Sequence, residues 1–140
     1  MRFPLAVSAL TFGLAACASL RTIQPTGTTR PVAVQVTCDD SSITFRVTPW
    51  AQHLSFGDDI SWTVASGSNT QDVTIDKVGR EWAFHDGPPV QSTPRNPGHA
   101  GRMKGSVHHG DSYRYSVEAD CQTASGRRIH GKIDPDMIID

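Results

Sequence analysis

Six histidines, three cysteines and three methionines are the residues of this chain best suited to metal or redox chemistry. His85, His99, His108 and His109 gather with Met103 in one stretch. Imidazole and thioether together suit copper, so His99, His108, His109 and Met103 are one candidate metal set. No acidic residue occurs from Gly87 to Gly110, whereas Arg95, Arg102 and Lys104 do, which makes the stretch locally basic. Only His108 and His109 are adjacent, and no pair falls at a recognised ligand spacing. The bland alternative is a solvated segment with exposed histidines. The acidic tail Asp134, Asp136 and Asp140 lacks the dense Asp/Asn/Gly loop and closing Glu of a calcium site.

Enzyme signatures are missing. There is no Gly-x-Ser-x-Gly elbow and no His-Glu-x-x-His helix. The two glutamates, Glu81 and Glu118, are isolated, and Glu118 has the outward phase of its strand, so nothing raises its pKa for acid catalysis. The reading is non-enzymatic. A net charge of −1, with Arg127-Arg128 as the longest basic run near the C-terminus, gives no footing for nucleic acid.

These groups must be carried by strands. Nine prolines and twelve glycines favour short strands and turns over helices. Around Gly57-Asp58-Asp59, a turn, the chain enters Ile60, Trp62 and Val64, which alternate with Ser61 and Thr63. Trp62 is the largest single contribution to a core, roughly 200 Å² of buried surface. The same alternation runs through Val32, Val34, Val36 and Cys38, through Ile43, Phe45 and Val47, through Val73 and Ile75, and through Tyr113, Tyr115, Val117, Ala119 and Cys121. Trp82 and Phe84 form a further apolar pair, and Ile129, Ile133 and Met137 to Ile139 close the series. Between Gly87 and Gly110 the pattern fails among prolines and glycines. That segment reads as one long loop and as the surface most open to a protein or small-ligand partner. Six to eight strands at this spacing predict an all-β sandwich.

The N-terminus resembles a bacterial lipoprotein signal. Met1-Arg2 is a short basic start, Phe3 to Leu14 is apolar but too short to span a bilayer, and Leu14-Ala15-Ala16-Cys17 is similar to a lipobox. The resemblance implies a signal peptide over residues 1–16 and acylation (palmitate and related chains) at Cys17. A lipidated tether over 17–31 and a domain over 32–140 would follow, with an extra edge strand as the alternative reading of Ala18 to Pro31. Several acyl chains anchor a protein stably. Ala18 after the Cys resembles lipoproteins sorted to the periplasmic face of the outer membrane. With Cys17 consumed by lipid, Cys38 and Cys121 are an even pair in an oxidising compartment, both phased toward the core. A disulfide between them is one reading and two buried thiols the other, since strand phase does not by itself make them meet.

Across 32–139 the chain resembles the cupredoxin-like family, a Greek-key β-sandwich. Phe56-Gly57-Asp58-Asp59-Ile60-Ser61-Trp62 is similar to that family's Gly-Asp-x-Val-x-Trp turn and strand. Gly110-Asp111-Ser112-Tyr113-Arg114-Tyr115 is similar to its late Gly-x-Tyr-x-Tyr strand. The immunoglobulin-like sandwich is the competing resemblance, through Cys38, Trp50 and Cys121. Tyr113 and Tyr115 do not stand two residues before Cys121, as that family's tyrosine does. The cupredoxin resemblance implies copper, yet the sequence departs from it. No His lies in Asn69-Thr70-Gln71-Asp72, and Cys121, His130 and Met137 are not clustered. The expectation is therefore a lipid-anchored binding or structural module of the envelope without a type 1 copper site. The alternative is a periplasmic copper-binding or electron-transfer protein using the loop histidines.

Overall fold

The computed structural model describes residues 27–140. Cys17 and the signal-like segment lie outside them. Among the described residues there is no helix, and ten strands form two mixed sheets. The strands are β1 (Thr29–Cys38), β2 (Ile43–Thr48), β3 (Ala51–Leu54), β4 (Asp59–Val64) and β5 (Val73–Lys77). They continue as β6 (Val90–Ser92), β7 (Gly98–His99), β8 (Ser112–Gln122), β9 (Arg128–Ile133) and β10 (Asp136–Ile139). One sheet has the order β2-β1-β4-β7, and the other β3-β10-β8-β5-β6 with β9 also on β8.

The inner faces follow the period of two. Val32, Val34 and Val36 on β1 are wholly buried, while Ala33 and Thr37 point outward. β1 is antiparallel to β2, with Val34 opposite Val47, and parallel to β4, with Val32 opposite Trp62. A parallel pair needs a crossover, and the chain makes it by passing through β3 in the other sheet. Trp62 is fully buried at the centre. It stacks on Trp82 at 6.3 Å and meets Tyr115 of the opposite sheet edge-on at 5.4 Å, and Trp82 in turn meets Phe84 at 5.6 Å. These are the offset and edge geometries that aromatic quadrupoles favour. Trp50 is half exposed and is not the core tryptophan that the immunoglobulin resemblance called for.

Cys38 and Cys121 form a disulfide, with Cα atoms 6.3 Å apart. It ties the last residue of β1 to the end of β8 and so joins the two sheets. The register fixes which loops share an end. Thr29 lies opposite Asp59, Ile139 opposite Leu54, Ser112 opposite Ile138 and Lys77 opposite Tyr115. The start of β1, the 55–58 turn, the C-terminus and the 78–82 and 108–111 segments are thus all at one end. The disulfide is at the other.

Two expectations need correction. β1 begins at Thr29, so Thr29, Arg30 and Pro31 are strand rather than tether. The 87–110 segment is not a free loop, for β6 pairs with β5, β7 pairs with β4, and Phe84 bridges Met103. Ser92, Ala100, Met103 and Val107 are buried there. Strands of two or three residues between prolines are too short to display a period.

Candidate functional site

The segment after β5 turns at Gly79, whose φ of +91° is one that a side chain would strain. It then presents Arg80 and Glu81 outward before Trp82 returns to the core. The Trp82 indole N–H donates to the Asp86 carbonyl at 2.9 Å, and the Lys104 N–H donates to the Ala83 carbonyl at 2.8 Å, so the two segments lie side by side. Asp111 caps the neighbouring turn by accepting from the His108 N–H at 2.8 Å and from the Tyr113 hydroxyl at 3.2 Å.

Between them lies a groove of about 490 Å³ lined by Arg80, Glu81, Trp82, Lys104, Ser106, His108, Asp111 and Tyr113. A second recess of about 370 Å³ shares Arg80, Glu81 and Tyr113 and extends it over Val78, Ser112 and Arg114. Partial burial raises the Tyr113 pKa, helped by the Asp111 hydrogen bond and the Glu81 charge, so the phenol remains a donor. The groove offers cations in Arg80 and Lys104, anions in Glu81 and Asp111, and the aromatic faces of Tyr113 and Trp82. Such a lining suits a small polar ligand carrying both charge signs, or a hydroxyl-rich one resting on Tyr113. At the opposite end, Asn69-Thr70-Gln71-Asp72 line another cleft of about 440 Å³ with Gln122 and Arg128. There the Asn69 amide is spent on both backbone groups of Cys38, and the Thr70 hydroxyl lies within reach of the Asp72 and Asp120 carbonyls. Those two side chains brace the disulfide rather than wait for a ligand.

The predicted metal set does not converge. His99, on β7, holds Asp59 through Nδ1 at 3.0 Å, His108 stands at the groove rim 3.8 Å from Asp111, and His109 is exposed beside it. Met103 is buried, its thioether shut into the core. No group of three or more His, Cys, Asp or Glu able to hold a metal ion occurs among the described residues. Two more imidazoles are paired in the same way, His53 with Asp140 at 2.9 Å and His130 with Asp120 at 3.1 Å.

The residues nearest to a blue-copper set do not fit one either. The Cys121 sulfur is bonded to Cys38. His130, opposite Asp120 on the neighbouring strand, turns outward. Met137 is opposite Tyr113, eight residues down β8 from Cys121, or roughly 26 Å at a strand's rise. Within the segment expected to recognise a partner, only Lys104, Ser106 and His108 reach the groove. Arg80, Glu81, Asp111 and Tyr113 were not legible as its walls. The one sequence signal for them is a turn glycine, Gly79 or Gly110, set beside a charged residue at a strand end.

Comparison with known proteins finds no family model that matches this chain and no similar sequence among curated proteins.

Proposed function

We propose that this chain is a lipid-anchored, non-enzymatic module of the bacterial cell envelope. It is held by an acylated Cys17 on the periplasmic face of the outer membrane and built on a cupredoxin-like scaffold without a type 1 copper site. The observation that carries this reading is the Cys38–Cys121 disulfide. It spends on a covalent staple the one thiolate that a blue-copper centre would require, and it belongs to an oxidising compartment. The lipobox-like Leu14-Ala15-Ala16-Cys17 supports the anchor. The groove at Arg80, Lys104 and Tyr113 is the binding surface of the module, suited to a small polar group that carries charge, a phospholipid headgroup included.

The test is elemental analysis and visible absorption of the chain isolated from its own membrane, with the thiols counted before and after reduction. The expected result is no stoichiometric copper, no intense visible band, and Cys38 and Cys121 unreactive until reduced. One copper per chain with a strong visible band would overturn the reading. Cys17→Ser is expected to move the chain into the soluble fraction, and tight membrane association of that variant would refute the anchor.

A further inference from the structure

The chain joins the sandwich at one end, and that end carries an exposed aromatic ring. The Thr28 N–H donates to Asp58 at 2.8 Å and the Asp59 N–H to the Thr28 carbonyl at 3.2 Å, so the residues before β1 are fastened to the 55–58 turn. Phe56, in that turn, is 58% exposed, the most exposed of the large hydrophobic side chains among the described residues. Gly27 is ten residues from Cys17, which spans at most about 35 Å of chain. The eleven residues of β8 extend over a similar length, roughly 36 Å.

We infer that this end of the sandwich rests against the bilayer surface, with the Phe56 ring in the boundary between headgroups and acyl chains. The inference depends on acylation of Cys17, as proposed above. The charges at this end fit such a position. Asp58 holds Arg30, Asp59 holds His99, Asp111 approaches His108 and Asp140 holds His53. Of these, only the Asp58–Arg30 pair is a standing ion pair, the other three counting as charge pairs when their imidazoles are protonated. Arg80 and Lys104 add cations at this end beside the exposed Glu81, which suits an anionic headgroup surface. An aromatic ring at the end where the chain from Cys17 enters the domain adds apolar burial to an attachment already made covalently. The disulfide end, with the 39–42, 65–72 and 123–127 turns, then points away from the lipid.

The full acylated chain, reconstituted in vesicles of phosphatidylethanolamine and phosphatidylglycerol with bromine on the upper acyl carbons, tests this. A Trp50→Phe background leaves only the buried Trp62 and Trp82 as native emitters. The indole introduced by Phe56→Trp, seated at the depth of the upper acyl carbons, should lose emission to the bromine, and one introduced by Ala124→Trp at the far end should keep its emission. Equal quenching at both ends, or none at position 56, would overturn the inference. Mass spectrometry of the same sample separates the two failures. An acylated, sedimenting chain with an unquenched indole at position 56 sinks the orientation alone, whereas an unacylated chain that stays in solution sinks the anchor and the orientation with it.

Discussion

Asp58 and Arg30 meet at 2.8 Å, a nearly buried carboxylate holding a half-exposed guanidinium across the junction of β1 and β4. The same carboxylate accepts the backbone N–H groups of Thr28 and Ser55. One side chain therefore closes the turn before the central strand and fastens the start of the domain.

Burial alone would raise the Asp58 pKa, but Arg30 and the two amides outweigh it and hold the value below its ordinary one. A lowered folded-state pKa contributes stability above the unfolded value, lost as pH falls through the folded one. Asp58→Asn should therefore cost about 2 kcal/mol near neutral pH, and the gap to the wild type should narrow below about pH 4. Urea unfolding across that range checks it. A gap independent of pH would mean that the charge contributes nothing.

The disulfide closes a separation of 83 residues. In the chain-entropy treatment, replacing both Cys38 and Cys121 by Ala should lower stability by about 4–5 kcal/mol. Urea midpoints of the variant and the oxidised parent provide the measurement. A loss near zero would show that the sheets hold each other without the staple.

Trp62→Ala should cost about 3–5 kcal/mol, because it empties the contact between β4, β8 and Trp82. Trp62→Phe should cost distinctly less, since a ring remains against Tyr115. The indole N–H of Trp62 faces the Tyr115 phenol, which burial pushes up to about 12, yet neither polar group forms a well-made hydrogen bond. Loss of the N–H alone should therefore matter little. Thermal unfolding of the two variants separates ring packing from polar contact.

Gly131 on β9 lies under Ile43 and Phe45 of β2, and a Cβ there would stand 2.5 Å and 2.6 Å from their side chains. Gly131→Ala should cost about 1–3 kcal/mol by forcing those side chains aside. In Phe45→Leu, which makes room, the same change should cost less. Additive effects in a double-mutant cycle would show that the glycine is not needed for close approach of the sheets.

The alternation of Val32 to Val36, Ile60 to Val64 and Tyr113 to Cys121 was enough to identify the inward faces, because side-chain period and strand geometry are both local. Turn glycines and aspartates likewise marked the strand ends. Local pattern also put both thiols on the core side. What it could not supply was distance, since Cys38 and Cys121 meet only because β1 and β8 end at the same side of two stacked sheets. The short β6 and β7 were hidden for a related reason. Their order comes from pairing with β5 and β4, not from any pattern of their own. Met103 read as a metal ligand because a thioether among histidines suits copper, whereas the bridge to Phe84 buries it. The groove was the least legible feature, as its walls come from three stretches that adjoin only once the 78–82 segment folds back beside 104–111 and the start of β8. Residue types and their period are properties of neighbours in the chain. Which distant neighbours share a surface is decided by the packing of the two sheets.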